Sequence, residues 1–362
     1  MVDTFWRGKR VWLTGHTGFK GSWLSLWLQE LGATLAGYAL DPPTSPSLFE
    51  SAQVASQMQS ITGDICDFSA LRAAITSFQP EIVFHLAAQS LVRRSYRDPL
   101  LTYSTNVMGT ANVLECVRNC PSARAVVVVT SDKCYENQES SRPYRETDPL
   151  GGYDPYSSSK ACAELLIAAY RRSFFQEEGD AAHSPAIASA RAGNVIGGGD
   201  WAEDRLIPDI MRGLSAAKTV LIRNPRATRP WQHVLEPLRG YLVLAQKLFQ
   251  HGTEFSGPWN FGPNYADAKT VEWIVKRLAE GWGAGARWEI DKGPHPHEAG
   301  VLQLDWAKAH KQLGWRPVLS LRQALEMTLG WYRDFYVGCD ARKLCLQQIA
   351  KYAAQPAKST KR

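Results

Sequence analysis

Arg10-Val11-Trp12-Leu13-Thr14-Gly15-His16-Thr17-Gly18-Phe19-Lys20-Gly21 is the stretch on which the fold turns. Its first five residues read as a buried strand, and the segment that follows the glycines, Ser22 to Leu31, has the amphipathic pattern of a helix. Between them the spacing is Gly-x-x-Gly-x-x-Gly. Glycines let the backbone turn tightly and approach a pyrophosphate, whose charge is met by the amino-terminal dipole of the helix. A glycine-rich turn can be purely structural. A strand before it and a helix after it select the dinucleotide reading, with Gly15, Thr17, Gly18, Phe19 and Lys20 as candidate cofactor contacts.

Moving outward, a second strand from Thr34 to Leu40 ends in Asp41, twenty residues after Gly21. That is the gap expected for a carboxylate that binds a ribose diol. No arginine follows before Arg72 to take a 2′-phosphate, so NAD is expected rather than NADP. The alternative is that Asp41-Pro42-Pro43 is only a turn. A third strand, Ser60 to Gly63, leads to Asp64-Ile65, where Asp64 either accepts from an adenine amine or caps a helix beginning near Phe68. A fourth, Glu81 to Leu86, ends in Ala87-Ala88-Gln89, and the small residues beside Leu86 leave room for a flat cofactor. Pro99 to Arg118 carries Tyr103, Val107, Ala111 and Val113 at helical spacing, either an internal packing face or half of a dimer interface.

Ala125-Val126-Val127-Val128-Val129 reads as a fully buried parallel strand, which puts Thr130-Ser131-Asp132-Lys133 at the carboxyl edge of the sheet where ligands bind. A helical pattern from Tyr156 onward places Lys160 one turn beyond that tyrosine on the same face. A free phenol titrates near 10. A cation about 4 Å away at an effective dielectric of ~20 is worth roughly 4 kcal/mol, or about three pKa units, which brings the phenol toward neutrality and makes it a proton acceptor. Ser131 can hold a substrate alcohol against it. Alternating strands and helices as far as Arg191 make an α/β fold, a Rossmann-like doubly wound parallel sheet.

Beyond Arg191 the texture changes. Gly193-Asn194 and Gly197-Gly198-Gly199-Asp200-Trp201 form a glycine-rich loop, followed by a helix from Arg205 to Leu214. Arg223 to Trp231 concentrates three arginines and a tryptophan, either a solvated turn or a site where guanidinium forks meet a diphosphate and the indole stacks on a base or sugar. Helical patterns over Val234 to Phe249, Thr270 to Glu280 and Asp305 to Tyr336 complete a smaller α/β lobe.

A length of 362 residues with 44% apolar and 21% charged side chains supports a large core. The net charge of +6 is spread along the chain; the one basic cluster, Lys358 to Arg362, reads as a fraying tail rather than a nucleic-acid site. Thirteen tryptophans suit a stacking site and a filled core equally. Seven cysteines without a paired Cys-x-x-Cys, and His295 and His297 without a carboxylate or thiol constellation, leave no metal site and fit reduced thiols. Met1 to Arg10 lacks a signal-peptide core and no apolar run approaches about 18 residues, so a cytoplasmic protein without membrane association is expected.

Taken together, the glycine turn, Asp41, Ser131, Tyr156 and Lys160 resemble the extended short-chain dehydrogenase/reductase superfamily over nearly the whole length. The segments Gly37 to Thr44 with Ser47 to Glu50, Thr130 to Asn137, and Thr228 to Val234 resemble the CDP-glucose 4,6-dehydratases within it. The resemblance implies NAD as cofactor, CDP-glucose as substrate, and a homodimer or dimer of dimers. It also implies a place in deoxysugar biosynthesis of the O-antigen or lipopolysaccharide kind. It implies an internal redox cycle in which Tyr156, with Ser131 and Lys160, takes the proton of the carbon 4 hydroxyl, Lys133 removes the carbon 5 proton and Asp132 protonates the leaving hydroxyl on carbon 6. Gln89, Asn194, Arg205, Leu206, Ile207, Arg229 and Trp231 are the implied substrate contacts. Residues 1–192 with about 234–260 form the implied NAD-binding domain, 193–233 and 261–345 the sugar-nucleotide lobe, and 346–362 the tail. Dehydratases of dTDP-glucose resemble Thr-Asp-Glu where this chain has Ser131-Asp132-Lys133. An amine must be neutral to act as a base, so Lys133 either is the base or positions Asp132 while another group or a water acts. Two other readings stand beside the dehydratase: a nucleotide-sugar 4-epimerase or reductase, which needs no acid/base pair at 132 and 133, and a non-catalytic dinucleotide sensor.

Overall fold

The side-chain alternation of a strand sends odd and even residues to opposite faces, and in this chain both faces are apolar. In β1 (Arg10–Thr14), Val11 and Leu13 point into one core layer and Trp12 into the other. The later strand Ala125–Val129 divides the same way, Val127 and Val129 against Val126 and Val128. A computed structural model describes residues 4–139, 142–175, 184–283, 285–293 and 301–355. In it β1, β2 (Thr34–Ala39), β3 (Gln59–Thr62), β4 (Ile82–His85), β5 (Ala125–Val129), β6 (Ala186–Ala192) and an edge strand Gly257–Phe261 form one parallel sheet in the order β3-β2-β1-β4-β5-β6-edge. The strand order reverses between β1 and β4, and a crevice opens there at the carboxyl ends. This is the doubly wound sheet expected from the sequence.

Helices Phe19–Glu30, Phe68–Phe78, Gly109–Arg118, Pro155–Phe174 and Leu235–His251 connect and cover the strands. Asp154 caps the helix that carries Tyr156 by accepting from the Ser157 N–H at 2.9 Å, with Pro155 in its first turn. Outside the sheet, Leu206–Ser215, Val271–Trp282 and Leu321–Tyr336 pack with three two-stranded pairs into the lobe beyond the strand ends. The tryptophans go mainly into the core: Trp6, Trp12, Trp23, Trp259, Trp315 and Trp331 are among the largest fully buried side chains.

Three expectations are corrected. Asp67, not Asp64, caps the helix at Phe68, by accepting from the Ala70 N–H; Asp64 accepts from Cys66 N–H and stays at the strand end. Pro99 to Arg118 is helical but interrupted by a π-turn at Ser104–Met108. Residues 346–353, assigned to a tail, lie in the helix Ala341–Ala353. Cys345, Ile349 and Tyr352 are buried there, and the Tyr352 hydroxyl donates to Glu236 Oε2 at 2.8 Å. An apolar stripe at helical spacing outweighs the basic composition around it. Lys358 to Arg362, His295 and His297 lie outside the described residues. No helix among the described residues is long and apolar enough to cross a membrane, and no cluster of metal-ligating side chains occurs among them. The seven cysteines are free thiols.

Candidate active site

One cleft of about 650 Å³ runs along the carboxyl ends of the strands, and the candidate cofactor, catalytic and substrate contacts named from the sequence line it. At its cofactor end Gly15 has φ +75°, and a Cβ there would lie 2.7 Å from Ala87 N; a Cβ on Gly21 would lie 2.1 Å from Gly15 O. The turn therefore tolerates glycine alone, and backbone rather than side chains faces the space where a pyrophosphate would sit. The Thr17 hydroxyl donates to Leu40 O at 2.9 Å, tying the turn to the end of β2, where Asp41 is exposed. Thr14 Oγ1 accepts from the Leu86 and Ala87 N–H groups at 3.2 Å each and is itself bonded to His85 Nδ1 at 2.6 Å. These bonds hold the floor formed by Leu86, Ala87 and Ala88 opposite Gly15, Gly18 and Phe19, with Asp64 and Ile65 further along. The residues present fit a dinucleotide.

At the other end, Ser131 caps a short turn, Asp132–Cys134. Its oxygen accepts from the Lys133 N–H at 3.2 Å and its proton goes to Asp132 Oδ1 at 3.0 Å. Burial raises the Asp132 carboxyl above the usual carboxylate range, against the pull of Lys133, Ser131, Arg229 and Lys20. A carboxyl so raised carries a proton more readily. Burial pushes the Tyr156 phenol up to about 12, opposed by the hydrogen bond with Ser131 and the charge of Arg205. Lys160 is lowered to about 8, again first by burial. The expectation that Lys160 draws the phenol to neutrality meets a larger opposing effect, burial, and a second cation, Arg205, also lowers the phenol; the Lys160 Nζ donates to Val129 O at 3.4 Å. Lys20, whose amine burial lowers to about 8, adds a third basic group.

The implied substrate contacts divide. Arg205 reaches Asp200 Oδ2 at 3.2 Å and Ser90 Oγ at 2.9 Å; Leu206 and Ile207 open the helix behind it. Arg229 is buried and donates to Thr228 O at 3.2 Å, and Asn194 O accepts from Gln232 N–H at 3.0 Å. Trp231 is packed into the core with its indole N–H on Lys269 O at 3.2 Å, so it forms wall rather than a free stacking plate. The Gln89 side chain is engaged locally, with Leu91 and Thr102. Sequence reading missed Arg93 and Asp204. Asp204 Oδ1 joins Arg93 at 3.2 Å and Arg223 at 2.7 Å across the cleft, a pairing of residues 111 and 19 positions apart that no local spacing reveals.

Residues 13–328 match the family model described as GDP-mannose 4,6 dehydratase. A CDP-glucose 4,6-dehydratase of Salmonella typhimurium is 56% identical over 353 residues, 97% of this chain and 98% of that protein. The chain belongs to this nucleotide-sugar 4,6-dehydratase family. Solved structures agree on the fold of this 4,6-dehydratase family member. An epimerase of Methanothermobacter thermautotrophicus superposes with a TM-score of 0.77 at 22% identity, covering 97% of each chain. A dTDP-glucose 4,6-dehydratase of Bacillus anthracis in complex with NAD gives 0.73 at 22% identity, covering 92% of this chain and all of that one.

Proposed function

We propose that the chain converts CDP-glucose into CDP-4-dehydro-6-deoxyglucose and water. The observation that carries this reading is Asp132, a buried carboxyl with raised proton affinity. It shares one cleft with Ser131, Tyr156, Lys133 and a dinucleotide cradle, bonds with the Ser131 hydroxyl and feels the charge of Lys133. A reductase or epimerase needs the Ser, Tyr and Lys but has no task for that acid. NAD bound in the cradle supplies a hydride acceptor for carbon 4 and, reduced, the donor that returns the hydride to carbon 6. Ser131 orients the carbon 4 hydroxyl and Tyr156 takes its proton. The ketone acidifies carbon 5; Lys133, or a water it orders with Asp132, removes that proton. Asp132 gives its proton to the carbon 6 hydroxyl, which leaves as water. The proton taken from carbon 5 is returned to it, and the proton that Tyr156 took from the carbon 4 hydroxyl passes to Asp132, by way of the Ser131 hydroxyl that bonds with both or through solvent, so the side chains end as they began. Cytosine as the base is supported by the identity with the Salmonella protein.

CDP-, UDP-, dTDP- and GDP-glucose, each incubated with the protein and NAD, form the test. Alkali-labile keto sugar from CDP-glucose in clear excess is expected; preference for another nucleotide would refute the base assignment, and CDP-galactose in place of keto sugar would make the enzyme an epimerase.

The same reading includes a cytoplasmic homodimer, or a dimer of dimers, paired through helices. Leu100 is 82% exposed, Met108 58% and Leu165 60%, on segments that pack together through Tyr103 and Ser158, whose hydroxyls lie 2.6 Å apart. Apolar side chains so exposed on adjoining helices favour a partner copy. Leu100→Asp combined with Leu165→Asp is expected to halve the mass measured by light scattering; an unchanged mass would place the interface elsewhere.

A further inference from the structure

Glu164 follows Lys160 by one helical turn, is buried to 4% exposure, and has no task in the scheme above. Its carboxylate accepts from the Thr130 hydroxyl, from Ser189 Oγ at 2.7 Å and from Arg191 Nη2 at 2.7 Å. Arg191 donates through Nη1 to the Tyr135 hydroxyl at 2.8 Å and to Glu146 O at 3.2 Å, and Tyr135 donates to Asn260 Oδ1 at 2.8 Å. Thr130 directly precedes Ser131, and the carbonyl before it, on Val129, is the one that accepts from Lys160. A single carboxylate thus grips the strand end that carries Ser131 and stands one turn from the catalytic amine. Buried ion pairs contribute little net stability compared with apolar residues of the same size, so stability alone does not account for this one.

We propose, building on the dehydratase reading of the site, that Glu164 is a positioning residue that keeps Lys160 in its ammonium form and anchors the Thr130–Ser131 strand end, so that it sets the upper pH limit of turnover. The groups facing Lys160 are Tyr156 and Glu164 on its own helix, Cys134 on the turn after β5, His85 at the end of β4 and Lys20 at the start of the first helix. Burial holds the Cys134 thiol protonated and His85 neutral, and Lys20 repels the ammonium. Glu164 is left as the anion. Burial would raise its carboxyl, but Arg191 and the hydrogen bonds of Thr130 and Ser189 prevail and hold it below the ordinary range. Burial lowers Lys160 and this carboxylate resists that fall, so losing the carboxylate lowers the amine further and the ammonium is lost at a lower pH.

The test compares the full-length wild type with Glu164→Gln and with the double variant Glu164→Gln/Arg191→Gln. The single variant leaves a buried guanidinium unpaired and can fail to fold; the double variant keeps hydrogen-bonding groups without either charge. Initial rates of keto-sugar formation are followed from pH 6 to 9.5 at saturating NAD. In the double variant the alkaline fall is expected to move down by about one pH unit, a roughly fivefold loss at pH 8 with little change at pH 6. An equal loss at every pH would mean a merely structural role and would overturn the proposal. Competitive labelling of the Lys160 amine, read by mass spectrometry, follows its titration without turnover. An unshifted titration sinks the proposal even in a protein that forms no keto sugar, whereas absence of keto sugar in the wild type sinks the dehydratase reading alone.

Discussion

Tyr156→Phe is expected to lower keto-sugar formation by about a hundred- to ten-thousandfold while NAD still binds, because the substitution removes one acidic proton and leaves the ring. The side chain is 8% exposed and Asp154 caps its helix independently, so the fold has no reason to change. Burial holds the phenol near 12, above the range of an efficient base at neutral pH. The Ser131 hydroxyl and the Arg205 guanidinium bring it down, and in the proposed scheme the Lys160 ammonium one helical turn away and the positive charge of oxidised NAD add to them. The sign follows. Activity should rise with pH as the phenol loses its proton more easily, and fall above about 8 as the buried Lys160 loses its charge. The variant should lose the rising limb altogether. Measuring keto-sugar yield and NAD affinity on the same preparation decides it: turnover within a few-fold of wild type would remove the phenol from the chemistry.

How much of this was readable beforehand depends on the range of the interaction. The glycine turn, the buried strand Ala125–Val129 and the one-turn step from Tyr156 to Lys160 are short-range patterns, and the sheet edge collects their polar ends by topology. Burial is not short-range. The desolvation that lifts the Tyr156 phenol comes from elements distant in sequence, so a pairwise estimate from Lys160 gave the sign of one interaction and missed the larger one. The clasp of Asp204 on Arg93 and Arg223 has no local signature either. Glu164 did have one, a carboxylate one turn beyond the lysine, but its meaning needed Arg191 and Thr130 in place. The helix Ala341–Ala353 was hidden for another reason: basic and polar side chains along its exposed face mask the stripe formed by Cys345, Ile349 and Tyr352.

Asp132→Asn is the substitution that separates oxidation from water loss. The asparagine oxygen can still accept from the Ser131 hydroxyl, which now bonds Asp132 Oδ1 at 3.0 Å, so the geometry around carbon 4 should survive and the first hydride transfer should run within a few-fold of its normal rate. The amide cannot give up a proton to the carbon 6 hydroxyl, which would then have to leave as hydroxide. Loss of a general acid costs about a hundred- to ten-thousandfold, so the reaction is expected to stall with reduced cofactor on the enzyme and no keto-deoxy sugar released. Burial raises the Asp132 carboxyl, so its acid form is lost as pH rises through that elevated value, and elimination in the wild type should slow in that direction. In the variant that dependence should vanish. Rapid mixing with CDP-glucose, following reduced-cofactor absorbance and product together, reads both steps: a stable absorbance with no product supports the division of labour. Equal loss of both signals would mean that Asp132 shapes the oxidation site itself, as its close approach to Gly193, where an added Cβ would stand 3.0 Å from Oδ2, gives it the means to do.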